Sequence, residues 1–169
     1  MADYLIAKTN DEYSSAALLF KEYAAWLNID LSFQYFDEEL LELKIMYGTP
    51  NGGIILCKAA HEFIGCVGIR KIDNDIAELK RMFTKPDYQN QGIGKALLEK
   101  AIGLATNLNY KFIRLDTLNY MAAAINLYKQ YGFYEIPVYY YNPNETAVYF
   151  EKKLLPDYDE GKIKEVQLA

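Results

Sequence analysis

Residues 76–95 have the sequence IAELKRMFTKPDYQNQGIGK. An apolar, strand-like run leads into a short turn, and the turn leads into a glycine-rich helix start, Gln89-Asn90-Gln91-Gly92-Ile93-Gly94. The first turn of a helix has unpaired N–H groups and a partial positive charge, and glycine lets an anion approach the main chain closely. The stretch therefore predicts a site for a ligand that contains a pyrophosphate. The alternative is a helix that simply begins with glycine.

Two other phosphate-binding motifs do not fit this stretch. A P-loop needs Ser or Thr after its lysine, but Lys95 is followed by Ala96, and Gln89 stands where the first glycine would be. A dinucleotide fingerprint needs a third glycine where Leu97 stands, and a G-x-G pair alone is a weak signal.

Composition narrows the class of protein. The chain has 169 residues, of which 51% are apolar and 24% are charged, and this is typical of one globular domain. We expect a single domain over residues 1–169, with a core from about 4 to 154 and a polar tail from about 156 to 169. A net charge of −5 argues against nucleic-acid binding, and no apolar run is long enough to span a membrane. The N-terminus lacks a signal-peptide pattern, so we expect a cytoplasmic protein.

The residues that usually bind metals or act as nucleophiles are scarce. Cys57 and Cys66 lie in apolar strand-like runs without C-x-x-C spacing, and His61 is the single histidine. We therefore expect buried structural thiols and no metal site. Catalysis by a Ser-His-Asp or Cys-His group is also disfavoured, because His61 falls in a short connection between strands.

Hydrophobic periodicity predicts a mixed sheet flanked by helices. A capping box at Thr9 opens a first helix, and a second starts near Asp37, with Leu40, Leu41 and Leu43 on its buried side. Short connections join three strand-like runs, which we expect to be antiparallel: 54–59, 63–70 and 76–84. The helix that follows, up to about Thr106, leads into a parallel strand at 111–115. The remaining elements are a helix at 120–130, strands at 133–136 and 146–154, and a tyrosine-rich loop between these strands.

This order of elements and the Q-x-x-G-x-G motif resemble the GNAT superfamily of acyl-CoA-dependent N-acetyltransferases. A second segment, Ala124 to Phe133, AINLYKQYGF, is similar to the family's A-i-x-L-Y-x-x-x-G-F pattern. One position departs from the family, because Met121 stands where many members have asparagine. The resemblance implies an α/β fold in which an antiparallel meander continues into a splayed parallel central strand pair.

The resemblance also implies where acetyl-CoA, the cosubstrate, would bind. The backbone of Met82, Phe83 and Thr84 would contact its pantetheine arm. The backbone of the turn and helix start would hold its pyrophosphate, through Gln89, Asn90, Gln91, Gly92, Ile93, Gly94 and Lys95. The side chains of Lys95 and Arg81 either add charge near the phosphates or are simply solvated.

Two side chains are candidates for catalysis. Glu78 is a carboxylate in the middle of an apolar strand, where burial would raise its pKa and make it a better general base. The alternative for Glu78 is a structural ion pair with Lys80 or another cation. Tyr128 matches the family's acid tyrosine and could reprotonate the departing thiolate; its alternative is a structural core tyrosine. A backbone N–H near Met82 would polarise the carbonyl.

The acceptor pocket is expected between the first two helices, the strand end at Asp116 and the tyrosine-rich loop. Asp116 would bind a cationic acceptor or, alternatively, cap the following helix. Tyr139, Tyr140 and Tyr141 would line the pocket, cover the sheet edge or form a homodimer contact.

We therefore expect an enzyme that transfers an acetyl group from acetyl-CoA directly to a primary amine of a small acceptor. A non-catalytic acyl-CoA sensor and an interaction module without the ligand site are the two alternatives.

Overall fold

The computed structural model describes residues 1–154, and the predicted polar tail lies outside this range. Seven strands form the sheet: β1 Ala2–Ile6, β2 Gly53–Ala59, β3 Glu62–Lys71, β4 Ile76–Thr84, β5 Phe112–Leu118, β6 Tyr134–Ile136 and β7 Ala147–Lys153. The α-helices are α1 Asn10–Leu27, α2 Phe36–Leu41, α3 Leu43–Met46, α4 Ile93–Asn107 and α5 Ala122–Gln130. Two single 3₁₀ turns precede α2 and α4, at Ser32–Gln34 and Pro86–Tyr88.

The seven strands lie in one sheet, in the order β1-β2-β3-β4-β5-β7-β6. Strands β1 to β4 form an antiparallel meander, while β4 and β5 are parallel because α4 crosses between them. The parallel pairing covers only Ile76–Phe112, Ala77–Ile113 and Glu78–Arg114. Beyond these pairs the two strands separate. The predicted fold class, a meander joined to a splayed parallel pair, is confirmed.

A β-bulge interrupts β4 where the strands separate. Lys80 pairs with Gly68 and Phe83 pairs with Cys66, so one residue of β3 lies opposite two residues of β4. Within this bulge Arg81 has a φ of 56°, in the left-handed region that side chains other than glycine rarely adopt. The bulge therefore redirects the main chain of β4 immediately before Met82.

Two hydrophobic layers cover the sheet. On one face α4 and α5 contribute Leu97, Leu98 and Tyr128, which pack against Ile113. On the other face Phe20 of α1 and Tyr47, the residue after α3, are buried, and their rings pack edge to face at 5.7 Å. The expected capping box of α1 is confirmed, because Thr9 and Glu12 each bind the other's backbone N–H. None of the helices within residues 1–154 is long and apolar enough to cross a membrane.

The second helix differs from its prediction. We expected Leu41 on its buried side, but Leu41 is 87% exposed, and Glu39 is the residue of α2 that is buried. The helix is also short and ends at Leu41, so the apolar spacing across residues 40–43 belongs to two helices rather than one. Glu39 can be buried because it finds a cationic partner on β4.

Candidate functional site

A cavity of about 890 Å³ opens where β4 and β5 separate. Its walls include residues of the separated part of β4, the start of α4, the end of β5 and the inner side of α5. Nearly all of the predicted cofactor residues meet there, namely Met82, Phe83, Thr84, Gln89, Asn90, Gly92, Ile93, Gly94 and Lys95. Gln91 does not line the cavity; its side chain donates to the Asp87 carbonyl at 3.3 Å.

The first turn of α4 presents uncapped amides to this cavity. Gly92, in the N-cap position, has a φ of 82° and no side chain caps the helix. No acidic side chain lies in the first turn. An added Cβ at Gly92 or Gly94 would meet no atom within 4 Å, so internal packing does not require glycine at either position. The unpaired N–H groups and the helix dipole fit a diphosphate, and the missing Cβ atoms leave room for it.

The separated edge of β4 forms a second wall. Because β5 pairs with β4 no further than Glu78, the main chain of Met82, Phe83 and Thr84 lies beside the cavity without a parallel neighbour. Gln89 closes the corner between this edge and α4, since its side-chain amide donates to the Thr84 carbonyl at 3.1 Å. A strand edge of this kind can pair with an extended amide chain, such as a pantetheine arm.

Tyr128 projects from α5 into the same cavity, although its ring is buried. The ring packs against Phe133 at 5.7 Å and Phe150 at 6.4 Å. Every fully buried side-chain oxygen or nitrogen in residues 1–154 has a hydrogen-bond partner, whereas the Tyr128 hydroxyl has none within that range, so this hydroxyl opens to the cavity. Burial raises the pKa of Tyr128 well above its ordinary value, so the phenol is protonated at neutral pH.

The bulge that carries Arg81 is anchored by a buried ion pair. The Arg81 guanidinium donates to Glu39 Oε2 at 2.8 Å through one nitrogen and at 3.2 Å through another, and it lies 5.0 Å from the Phe36 ring. Tyr47 donates its hydroxyl to the other oxygen of Glu39. Burial lowers the pKa of Arg81, but Glu39, Tyr47 and Tyr23 together outweigh it and leave this pKa above its ordinary value, so Arg81 stays charged. Arg81 is therefore a buried, paired residue and not the solvated side chain that we considered.

Glu78 does not have the raised pKa that we expected. Burial raises the pKa of this carboxyl, but Lys80, Arg70 and the Tyr139 hydroxyl together outweigh it and leave the pKa below its usual value. Lys80 lies 3.3 Å and Arg70 3.0 Å from Glu78 Oε1, and Tyr139 donates to Oε2 at 3.0 Å. The structure therefore favours the alternative of a glutamate paired with cations. In addition, Glu78 does not line the large cavity.

Asp116 lines the large cavity from β5, across the gap from β4. It lies near the C-terminal end of β5, as expected, but no side chain caps α5, so the capping alternative for Asp116 is wrong. Within residues 1–154 Asp116 belongs to no ion pair. Desolvation first, and then the Asp116 charge, raises the pKa of the neighbouring Tyr140.

The tyrosine-rich loop packs against the sheet at β7. The rings of Tyr139 and Tyr140 meet each other and Tyr149 edge to face at 5.2 to 5.6 Å. The Tyr140 hydroxyl accepts hydrogen bonds from Gln34 at 2.9 Å and Asn142 at 3.4 Å, whereas Tyr141 is 78% exposed. The tyrosine-rich loop therefore connects the 3₁₀ turn that precedes α2 with β5 and β7. Its three tyrosines line a second, smaller cavity, whereas Asn142 of the same loop lines the large one.

Sequence reasoning missed the pairing of Glu39 with Arg81 and the burial of Lys80. Lys80 is only 5% exposed, and desolvation lowers its pKa even though Glu78 opposes this. The sequence contains one signal for this arrangement. The charged residues at positions 78, 80 and 81 interrupt an otherwise apolar strand, which indicates that basic groups are buried beside Glu78. The carboxylate partner of Arg81 lies 42 positions away and carries no local signal. No group of three or more His, Cys, Asp or Glu in the described part of the chain could hold a metal ion.

Comparison with known proteins agrees with this geometry. Residues 20–133 match the model of the Acetyltransferase (GNAT) family. An uncharacterised N-acetyltransferase from Dictyostelium discoideum is 32% identical, over 87% of this chain and 96% of its own length. A solved acetyltransferase from Streptococcus agalactiae superposes with a TM-score of 0.74 at 23% identity, over 90% of this chain and 98% of its own.

A further solved structure, a GNAT family acetyltransferase from Elizabethkingia anophelis, has acetyl-CoA bound. It superposes with a TM-score of 0.63 at 24% identity, over 90% of this chain and 98% of its own. The chain described here belongs to the GNAT family of acetyltransferases. The resemblance that the two sequence motifs suggested is therefore confirmed, and acetyltransferase activity is the function that this membership supports.

Proposed function

We propose that this protein transfers an acetyl group from acetyl-CoA to a primary amine, by direct attack of the amine. The observation that carries the proposal is the meeting of three features at one cavity. These are the separated edge of β4, the uncapped first turn of α4 and the Tyr128 hydroxyl. The family supplies the reaction class, and these features supply a place for each part of the chemistry.

The cosubstrate would be held mainly by main-chain groups. The amides of Gly92, Ile93, Gly94 and Lys95 would receive the pyrophosphate, with the side chains of Gln89 and Asn90 at the edge of the site. The main chain of Met82, Phe83 and Thr84 would pair with the pantetheine amides. When bound, acetyl-CoA supplies an activated acetyl thioester.

Transfer forms an amide N–C bond and breaks the thioester C–S bond. Negative charge develops on the carbonyl oxygen, and a main-chain N–H at the β4 bulge, near Met82, is placed to stabilise it. The Arg81–Glu39 ion pair holds this part of the chain in its left-handed conformation. Because the donor is fixed before the substrate arrives, little reorganisation is needed during the reaction.

Tyr128 would act on the leaving sulfur. Its phenol is protonated at neutral pH and its hydroxyl opens to the cavity, so it can donate to a developing thiolate. The nitrogen gives up its second proton once the N–C bond has formed, and water in the open cavity would return this proton to the phenolate. The low-dielectric surroundings that raise the pKa of this phenol would also raise the pKa of a thiol formed beside it. The pKa values of the phenol and of the thiol are therefore both raised, so the free-energy difference for proton transfer between them changes little.

Asp116 and Glu78 would have different tasks. Asp116 lines the large cavity without a cationic partner in residues 1–154, so it is placed to attract the ammonium form of the acceptor. Glu78 is held ionised by two cations and is a weak proton acceptor at neutral pH. We propose that Glu78 positions Lys80 and Tyr139, and that the amine loses its proton to water in the open cavity.

The test is a thiol-release assay with acetyl-CoA across a panel of primary amines, including amino acids, peptides and polyamines. We expect release that depends on the amine and a product that is heavier by one acetyl group in mass spectrometry. Tight CoA binding without turnover on any amine would instead support the sensor. No thermal shift with CoA would support the interaction module, since a ligand at 100 times its Kd adds about 2.7 kcal/mol.

A further inference from the structure

A second cavity, of about 510 Å³, adjoins the first on the α2 side of the sheet. Phe33, Gln34 and Lys80 belong to the walls of both cavities, so a bound molecule could extend from one into the other. Aromatic rings of the tyrosine-rich loop form much of the wall of this second cavity. This places a second binding region directly beside the proposed site of acetyl transfer.

The wall of the second cavity has more positively than negatively charged residues. They are three cations, Arg70, Lys71 and Lys80, and one carboxylate, Glu78. The whole chain carries a net charge of −5, so this local excess of positive charge is the opposite of the average surface. A cavity with an excess of cations concentrates anions, because low-dielectric walls strengthen the local field.

The hydrogen bonds of the cavity show why Glu78 does not remove this excess. Both Arg70 and Lys80 contact the same oxygen, Oε1, while Tyr139 occupies Oε2. One negative charge is therefore shared by two cations whose side chains are only 25% and 4% exposed. Cations that are shielded from water and incompletely paired favour an incoming anion.

Asp116 is the one carboxylate in the wall of the first cavity within residues 1–154. Asp116 lines this cavity from β5, close to Tyr140, and has no ion-pair partner within residues 1–154. An acceptor with an ammonium group near Asp116 would place its other end toward Lys80 and Arg70. Two opposite charges at two ends of one pocket select a molecule with the matching pair.

We infer that the acceptor carries a carboxylate in addition to its amine, and that Arg70, with Lys80 and Lys71, binds this carboxylate in the second cavity. Arg70 is the principal residue, because its planar guanidinium suits a carboxylate and is partly open to the cavity. Amino acids and short peptides with a free C-terminus have this chemistry. This inference rests on the proposed function and names the substrate class of the same site.

The experiment compares acceptors that differ only in the carboxylate. Glycyl-tyrosine and its C-terminal amide have amines of nearly equal pKa, and tyrosine with tyrosinamide forms a second pair. Tyrosinamide has the more acidic ammonium, so basicity alone favours the amide in that pair. With the wild-type protein and acetyl-CoA, we expect kcat/KM at least about tenfold higher for the acid of each pair, which corresponds to about 1.4 kcal/mol.

Variants locate the effect in the second cavity. Arg70→Gln should reduce the acid-to-amide ratio to nearly one by raising KM for the acid, while Arg70→Lys should retain part of the preference. Lys71→Gln removes a more exposed cation of the same wall and should lower the ratio without threatening the fold. Lys111→Gln is the matched control, because Lys111 is an exposed lysine that pairs with Asp75 away from both cavities.

The outcomes separate this inference from the proposed function. Turnover of amines with an acid-to-amide ratio of one or less in both pairs would overturn the inference and leave the proposed function intact. If no amine is turned over, the proposed function fails, and calorimetry with CoA-saturated protein then decides the inference. Binding of glycyl-tyrosine but not of its amide would support a carboxylate site, whereas equal binding, or none, would overturn it.

Discussion

The Arg81 guanidinium donates two hydrogen bonds to one oxygen of Glu39, at 2.8 and 3.2 Å, and so ties the bulge of β4 to α2. Both side chains are almost completely buried, and Tyr47 and Phe36 surround the pair. The bulge is also where we place the amide that polarises the thioester carbonyl. The ion pair thus ties the second helix to the part of β4 that lines the large cavity.

Removing one partner of this pair should reduce both stability and turnover. In Glu39→Gln the Arg81 charge stays buried without a counter-ion, and loss of a buried partner costs about 3–5 kcal/mol. We expect a lower Tm and a lower kcat, with KM for acetyl-CoA changed much less, as measured by thermal unfolding and thiol release. Glu38→Gln, one position away on the exposed side of α2, is the control and should behave as wild type.

A double replacement separates the two effects. Exchanging both Glu39 and Arg81 for methionine should restore much of the stability, because apolar residues of similar volume often replace a buried ion pair without loss. It should not restore kcat if the pair fixes the bulge. Full recovery of kcat together with Tm would show that the pair is only structural.

Tyr128→Phe removes the proposed proton donor and keeps the ring that packs against Phe133 and Phe150. We expect kcat to fall by about 10²–10⁴-fold, which is the usual contribution of a general acid, with little change in Tm. Tyr131→Phe removes a hydroxyl that donates to Glu99 on the exposed surface and should leave kcat unchanged. Full turnover by the Tyr128→Phe protein would rule out the acid role.

Helix α4 contains a pair of matched glycines, one in its first turn and one further along. Gly94 and Gly103 both lie in α4 with open space around a new Cβ, but only Gly94 lines the large cavity. Alanine at either position should raise stability by about 0.5–1 kcal/mol, because glycine is unfavourable inside a helix. Gly94→Ala should in addition weaken CoA binding about tenfold in calorimetry, by about 1.4 kcal/mol. Equal CoA affinity for the two variants would contradict the assignment of the phosphate site.

The sequence predicted those parts of the fold and site that depend on local patterns. The meander, the α4 crossover and the uncapped start at Gly92 follow from strand periodicity, short connections and glycine spacing. Tyr128 could be placed because its motif fixes which helix face is buried. These are short-range relationships, and they determine the class of fold.

What could not be predicted depends on pairing between distant residues. Glu39 lies on a helix whose pattern favoured Leu41 as the buried residue, and only its partner Arg81 on β4 allows it to be buried. The lowered pKa of Glu78 could not be predicted either, because burial opposes it and the effect of nearby Lys80 is joined by Arg70 on β3 and Tyr139 in the later loop. Two charged groups far apart in sequence give no periodic signal. The second cavity and its excess of cations could therefore not be predicted from the sequence.

The lowered pKa of Glu78 gives a pH-dependent contribution to stability. A carboxyl whose folded pKa lies below its unfolded value of about 4.3 stabilises the protein above that pH and loses this stabilisation as the pH falls through its folded pKa. Glu78→Gln should therefore have a much lower Tm than wild type at pH 7, and the difference should narrow toward pH 3. A difference that stays constant between pH 7 and 3 would show that ionisation of Glu78 does not stabilise the fold.

The same variant tests whether Glu78 is the general base. We expect the pH dependence of kcat/KM in Glu78→Gln to keep the form that it has in wild type, even though the absolute rate falls with the disturbed positions of Lys80 and Tyr139. Loss of a limb of the pH–rate profile would assign the proton transfer to Glu78 after all.

The central claim is that a diphosphate binds to uncapped amides at the start of α4, beside the separated edge of β4. A crystal structure of the protein grown with CoA tests it most directly. We expect diphosphate oxygens within about 2.7–3.2 Å of main-chain nitrogens in residues 92–95, and the thiol end near Met82 and Tyr128. A diphosphate bound anywhere else on the protein would contradict the claim.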